Sequence, residues 1–263
     1  MKSTYREKRI ISGKRDEFLE VDIFSIFPHT DNAHTMPRKK RKPTQEMQKQ
    51  LNAKNCARRL ERLINCNFDK QDIKFELTYR NEPENEKKAQ QELRNFFKRV
   101  KRYYKSHNLF EVKYIAVIER GERGGRIHHH CIMTGGIDDN TLNELWGNGA
   151  INAFGHLREM DGDKGKGYIS IAKYFCGFKK HGFVDKIVYR RYNASRNLTQ
   201  PKALCSRDYE YRAKQAKQIH ENNYDYNLFS EKYPNYEFVE KQTIFNEEFG
   251  GYYIYLRLRK IIN

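Results

Sequence analysis

Two runs of β-branched and apolar residues flank a short glycine-rich segment in the middle of the chain. Residues 112–118 (VKYIAVI) and 127–133 (IHHHCIM) are each long enough for one strand, and residues 121–125 (GERGG) between them are typical of a tight turn. The pattern predicts an antiparallel hairpin. Because side chains alternate between the two faces of a strand, the hairpin also fixes which face each polar residue occupies.

The segments around this hairpin predict a mixed domain. Further strands are expected at residues 21–27, 73–79, 150–157, 186–192 and 252–256, and helices at 44–65, from the mid-80s to His107, at 138–146 and at 168–178. From residue 73 onward the order β-α-β-β-α-β-α favours an α+β fold with a mainly antiparallel sheet and flanking helices. We expect a basic N-terminal extension (1–60), a central domain (61–205) and a C-terminal extension (206–263) that packs on the core.

Three consecutive histidines lie on the second strand of the hairpin. Alternation places His128 and His130 on one face and His129 on the other. Glu119 ends the preceding strand, so the turn brings its carboxylate beside the two imidazoles. Two nitrogens and one oxygen leave coordination positions open, which suits a catalytic divalent cation better than a closed structural site. The sequence therefore predicts a metal site at Glu119, His128 and His130.

The predicted helix at 168–178 carries two tyrosines, Tyr168 and Tyr174. A phenol has an ordinary pKa of about 10 and is a poor nucleophile near neutral pH. A metal that polarises a phosphate, together with cations such as Lys173 and Lys179 that favour the phenolate, would make it reactive. With 18 tyrosines in the chain, either one can equally be a core or DNA-facing aromatic residue.

The composition indicates the chemical class of the binding partner. The chain has a net charge of +17 and a pI of about 9.5, which favours a polyanion, and its many aromatic residues suit stacking on unpaired bases. The five cysteines form no C-x-x-C pair, and neither a long apolar run nor a signal-peptide core is present. These features favour a reducing cytoplasm, such as that of a bacterial host, and no membrane association.

In its motifs the chain resembles the HUH endonucleases, specifically the rolling-circle replication initiators of small phages and plasmids. The resemblance spans roughly residues 40 to 205. Three ordered segments carry it: residues 75–79 (FELTY), residues 125–130 (GRIHHH) and residues 172–179 (AKYFCGFK). Two positions depart from the family pattern. His129 takes the usually apolar middle place, and Gly177 stands where a lysine is usual, which leaves Lys179 or Lys180 as its substitute.

The resemblance implies an RRM-like core and a specific chemistry. Glu119, His128 and His130 would bind Mn²⁺ or Mg²⁺, and Tyr174, with Tyr168 as the alternative, would nick single-stranded or hairpin origin DNA and keep its 5′ end as a phosphotyrosine. Basic residues near the motifs would hold the strand by its phosphates: Arg126, Lys180, Arg191 and Arg196. No P-loop sequence is present, so unwinding and extension would need a host helicase and polymerase.

Two other interpretations stay open at this point. A plasmid-mobilisation relaxase or a small tyrosine transposase would share the chemistry, although relaxases usually offer a third histidine rather than Glu119. A non-catalytic nucleic-acid-binding protein with an RRM-like sheet would explain the charge and the aromatic residues. It would leave the Glu-His-His set without a purpose, and the aromatic RNP signature of such sheets is missing from the sequence.

Overall fold

The computed structural model describes residues 4–26, 44–121, 125–159, 165–179, 182–183, 192–222, 227–247 and 250–261. The strands within these residues are β1 (Thr4–Ser12), β2 (Phe18–Ile26), β3 (Ile73–Leu77), β4 (Tyr114–Arg120), β5 (Ile127–Met133), β6 (Ile151–His156), β7 (Phe178–Lys179), β8 (Gly182–Phe183), β9 (Asn193–Ala194), β10 (Lys202–Ala203), β11 (Arg207–Arg212), β12 (Tyr236–Asn246) and β13 (Gly251–Lys260). The helices are α1 (Gln45–Asn67), α2 (Glu86–Ser106), α3 (Asp139–Trp146), α4 (Ile169–Phe175), α5 (Ala213–His220) and α6 (Asn227–Lys232).

The chain divides into two compact units, Gln45–Thr199 and Met1–Thr44 together with Gln200–Asn263. The first unit contains a five-stranded sheet in the order β6-β3-β5-β4-β9, and each pair of neighbours is antiparallel. From β3 to α4 its elements follow the order that the hydrophobic pattern predicts. The expected α+β class with a mainly antiparallel sheet is confirmed.

Helices cover both faces of this sheet, because its strands carry apolar residues on each side. On one face, Phe75, Leu77 and Ile118 pack against α2 and α3 in a core that includes Phe96 and Trp146. On the other face, strand residues pack against α1 and α4; this second core includes Ile115, Val117, Ile132, Leu60, Ile64, Ile171 and Phe175. Each face of the sheet therefore has its own core, and a histidine on β5 faces one core or the other.

Helix α4 is shorter than the sequence predicts. It begins at Ile169 and ends at Phe175, whereas the pattern suggested 168–178. Gly177 follows with a φ of +90°, a left-handed conformation that favours glycine and ends the helix, and its N–H donates to the carbonyl of Tyr174. Phe178 and Lys179 then form β7, paired with β8. The predicted continuation of the helix to Phe178 is therefore wrong.

The second unit is built around an antiparallel sheet in the order β10-β1-β2-β13-β12, with β11 also paired to β1. One face carries a core that includes Val21, Ile23, Leu256 and residues of α5 and α6 such as Ile219 and Phe229. Strands from both of the expected extensions, 1–60 and 206–263, thus contribute to one sheet. The strand expected at 186–192 lies almost wholly outside the described residues. Among the described helices, none combines the length and apolar character needed to cross a bilayer.

Candidate metal centre

The hairpin of β4 and β5 brings the three predicted ligands together. Its register places Glu119 directly opposite His128 and Val117 opposite His130, so the carboxylate is the cross-strand neighbour of one imidazole and the diagonal neighbour of the other. All three side chains lie on the sheet face that α1 and α4 cover. Their candidate ligand atoms lie within 4.8 Å of one another, and Glu119 and His130 are buried.

The distances within this group fit a shared ion. Nε2 of His128 lies 3.2 Å from Nε2 of His130, which lies 3.3 Å from Oε2 of Glu119. Two ligand atoms that are each about 2.1 Å from one ion are about 3.0 Å apart at a right angle and about 3.4 Å apart at the tetrahedral angle. A buried carboxylate beside two imidazoles also supplies negative charge, which favours a divalent cation. The residues present therefore form a group that could bind a metal ion.

The other ring nitrogens face acceptors. Nδ1 of His128 lies 3.1 Å from the carbonyl oxygen of Arg126, and such a contact requires a proton on Nδ1. Nδ1 of His130 faces Oε2 of Glu76 at 3.9 Å. Metal-binding histidines commonly direct the second nitrogen to a carbonyl or carboxylate, which fixes the tautomer. The hydrogen bond to Arg126 leaves Nε2 of His128 as a lone pair toward the candidate ion site, whereas Glu76 lies beyond hydrogen-bond distance of His130 and does not fix the tautomer of that ring.

Helix α4 brings one of the two candidate tyrosines to this group. The hydroxyl of Tyr174 lies 3.4 Å from Nε2 of His130, and the two rings meet edge to face with centroids 5.0 Å apart. Tyr174 is 38% exposed, so a substrate can reach it from solvent. Tyr168 precedes the first turn of α4 and packs, half-buried, against the core beneath that helix.

Two polar side chains fix the N-terminal end of α4. Oδ1 of the buried Asn65 accepts the N–H of Tyr168 at 3.1 Å, and the carboxylate of Glu159 accepts the N–H groups of Gly165 and Gly167, each at 3.2 Å. Gly167 has a φ of +76°, and a Cβ added there would lie 2.7 Å from Oδ1 of Asn65. The side chain of Asn65 on α1 therefore contacts the segment that leads into α4, the helix that carries Tyr174.

The segment that contains this site is similar to a known protein family. Residues 73–179 match a family model described as the replication-associated protein ORF2. The matched segment runs from β3 to β7 and includes Glu119, both candidate ligand histidines and both candidate tyrosines. This match supports a role in the initiation of DNA replication, and with it an interaction with DNA. Searches of curated proteins and of solved structures gave no match.

The side chain of the middle histidine, His129, lies on the opposite face of the sheet, as strand alternation predicts. His129 is fully buried, and its Nε2 lies 2.6 Å from the hydroxyl of Tyr79, while its ring meets Trp146 at a centroid distance of 5.9 Å. Burial, with a smaller effect from the neighbouring histidines, lowers the pKa of His129 to about 3. It is therefore a neutral core residue and points away from the ion site.

The predicted cationic residues lie in different surroundings. Lys173 is exposed on α4 beside Tyr174, and Arg196 is exposed in the turn after β9. Arg126 is also exposed and donates from Nη2 to the carbonyl of Arg80 at 2.6 Å, which ties the start of β5 to the segment that follows β3. Lys180, Arg191 and the side chain of Lys179 lie outside the described residues.

Sequence reasoning missed two charged residues of β3. Lys74 and Glu76 lie on the same sheet face as His130, and Glu76 is its direct cross-strand partner. Both line a pocket of about 730 Å³ next to α4, with His130, Lys173 and Tyr174. The alternation of polar and apolar residues from Lys74 to Leu77 indicates that Lys74 and Glu76 share one face of β3. That this face is also the face of His130 follows only from the pairing of β3 with β5, which the sequence of one strand does not predict.

Proposed function

We propose that this protein is a rolling-circle replication initiator of the HUH endonuclease type, which nicks and rejoins single-stranded origin DNA. One observation carries the proposal: the Tyr174 hydroxyl lies 3.4 Å from a nitrogen of the Glu119-His128-His130 group. A nucleophile and a cation site at this separation suit attack on a phosphodiester. The family match and the net charge of +17 support DNA as the substrate.

In the proposed cleavage step, the phenol oxygen of Tyr174 attacks phosphorus. The Tyr–O–P bond forms as the P–O3′ bond breaks, and the proton that the phenol loses is balanced by the proton that the leaving 3′ oxygen takes up. The products are a free 3′-hydroxyl and a 5′-phosphotyrosine. Attack of a 3′-hydroxyl on this phosphotyrosine reverses the bond changes, so the strand is rejoined without an external energy source.

This cleavage step assigns a role to each of the residues around the site. Glu119, His128 and His130 would hold Mn²⁺ or Mg²⁺, which supplies charge neutralisation at the phosphate oxygens. The anchored helix α4 holds the phenol in line for attack, and orientation of this kind contributes much of an enzyme's rate. Lys173 precedes the nucleophile in sequence, and we propose that its positive charge, with that of Lys179, acts on the scissile phosphate.

The surrounding surface would hold the DNA. Arg126 and Arg196 are exposed in the same unit as the site, and we propose that they contact phosphates together with Lys180 and Arg191. Since the sequence contains no P-loop, a host helicase would separate the strands, and a host polymerase would extend the free 3′ end. Glu119 as the third ligand favours an initiator over a relaxase, which usually has a third histidine at this place.

The experiment uses a labelled, randomised 40-nucleotide single-stranded DNA library with Mn²⁺ or Mg²⁺. We expect a covalent adduct that survives denaturation, disappears with chelator and is lost in Tyr174→Phe and His128→Ala. Tyr168→Phe, the matched control on the same segment, should keep it. An adduct that persists in Tyr174→Phe and is lost in Tyr168→Phe would make Tyr168 the nucleophile. DNA binding without any adduct would instead support a non-catalytic binder.

A further inference from the structure

The pocket beside the candidate metal centre has no assigned ligand. Its volume of about 730 Å³ lies within the range of roughly 300 to 1,000 Å³ that is typical of small-molecule sites. It lies between β3, β5 and α4, and His130 and Tyr174 belong both to its wall and to the reacting group. Whatever fills this pocket therefore adjoins the atom that Tyr174 attacks.

The wall of the pocket combines apolar and charged residues. Phe175 and Phe178 contribute aromatic surface, and Lys74 and Lys173 contribute positive charge from opposite sides, one from the sheet and one from the helix. Aromatic rings stack on bases and lysines bind phosphates. This combination fits a nucleotide better than it fits an uncharged apolar ligand.

The edge strand β6 contributes an irregular segment to the pocket wall. Its pairing with β3 shifts register between Lys74 and Glu76, and Ala153 at this irregularity has a φ of +49°, which is rare for a residue with a Cβ. Such irregularities are enriched next to functional sites. The small side chain of Ala153 lines the pocket. A larger residue there would fill the space in front of β3.

Among the described residues that line this wall, Glu76 is the acidic one. Its carboxylate lies 3.9 Å from Nδ1 of His130, which exceeds hydrogen-bond distance. The carboxylate therefore retains acceptor capacity toward the pocket. A carboxylate accepts N–H donors and repels carbonyl oxygens. Among the bases, guanine presents two adjacent donors, N1–H and N2–H, whereas thymine presents one donor between two oxygens.

On the basis of the proposed function, we propose that this pocket binds the nucleotide adjoining the scissile phosphate and that Glu76 selects guanine there. Lys74 and Lys173 hold the phosphates on either side of this nucleotide. Glu76 is then a specificity-determining residue, because it contacts the base and not the reacting atoms. A well-placed side-chain–base contact gives a preference of about 10- to 100-fold.

The test uses the randomised library described above and sequences both fragments of each adduct. Wild-type protein should enrich guanine at one of the two positions that flank the cut. Glu76→Gln should lose this enrichment and shift toward adenine or cytosine, whose Watson–Crick edges pair one donor with one acceptor, as an amide does. Glu144→Gln, on the exposed surface of α3, is the matched control and should keep the guanine preference.

The outcomes separate this inference from the proposed function. Failure of the wild-type protein to form any adduct contradicts the nuclease itself. An adduct without guanine enrichment, or a Glu76→Gln variant that is slower on all sequences with its preference unchanged, overturns only the role of Glu76. If the variant gives too little adduct, binding of guanine- and adenine-containing oligonucleotides is compared in a Tyr174→Phe background, with and without Glu76→Gln. Equal ratios in the two proteins would reject the inference.

Discussion

The hydroxyl of Tyr79 lies 2.6 Å from Nε2 of His129, on the sheet face opposite the candidate metal centre. Both side chains are buried, and both rings contact Trp146. A histidine in an apolar core is costly unless its polar atoms are satisfied. The Tyr79 contact offsets part of this cost, and His128 and His130 face the other side because side chains alternate along β5.

Replacing Tyr79 with Phe should destabilise the protein by about 1 to 3 kcal/mol, because the buried Nε2 of His129 then lacks its partner. Urea unfolding measures the change. The double variant Tyr79→Phe/His129→Leu should recover much of the loss, since it removes both polar groups. If the double variant is as unstable as the sum of the two single variants, the contact does not couple these residues.

The buried His129 should also make stability depend on pH in the metal-free protein. Its folded pKa of about 3 lies below the unfolded value of 6.5, so between these values the unfolded state binds a proton that the folded state does not. The titration of His129 therefore does not change the free energy of unfolding above pH 6.5. As the pH falls from 6.5 toward 3, protonation of His129 in the unfolded state lowers this free energy by about 1.4 kcal/mol per pH unit. Urea unfolding in chelator from pH 7 to pH 4 should show a steeper decline for the wild type than for His129→Leu. Equal slopes would contradict a neutral, buried His129.

Much of the structure of the first unit can be predicted from the sequence, because its strands and its hairpin depend on residues that are close together in the chain. Strand alternation over residues 127–133 predicts that His129 faces away from its two neighbours, and the structure confirms it. The turn between β4 and β5 predicts the approach of Glu119, since hairpin partners lie close together in the chain. The Tyr174 hydroxyl and the histidines, in contrast, come together through the packing of α4 against α1 and the sheet, which joins residues far apart in sequence.

Features that depend on distant pairing were not predictable in the same way. Glu76 becomes relevant only once β3 pairs with β5, and the terminal unit exists because β2 and β13, from opposite ends of the chain, form one ladder. No periodicity within a single segment encodes such a pairing. The early end of α4 was predictable in principle, because Gly177 carries the left-handed signal that ends many helices.

Binding of Mn²⁺ should stabilise the unit that contains the candidate metal centre. A ligand that binds only the folded state stabilises it by about 2.7 kcal/mol at 100 times its Kd, so the melting temperature should rise with Mn²⁺ and fall again with chelator. His128→Ala should abolish the rise. His156→Ala, which alters an exposed histidine on β6, should retain it. A rise that is unchanged in His128→Ala would place the ion elsewhere.

Substitution of Gly167 by Ala should slow cleavage by displacing Tyr174. The left-handed φ of +76° is strained for alanine, and the added Cβ would lie 2.7 Å from the Asn65 side chain, so either this side chain, which anchors the N–H of Tyr168, or the segment that leads into α4 must shift. We expect a destabilisation of about 1 to 3 kcal/mol and, because small misplacements of a reacting group are costly, an adduct rate lower by about 10- to 100-fold. Gly155→Ala is the matched control, since a Cβ there meets nothing within 4 Å. Adduct formation on the library DNA and urea unfolding, measured on both variants, test this coupling. Equal rates would show that the junction of α1 and α4 does not set the position of the nucleophile.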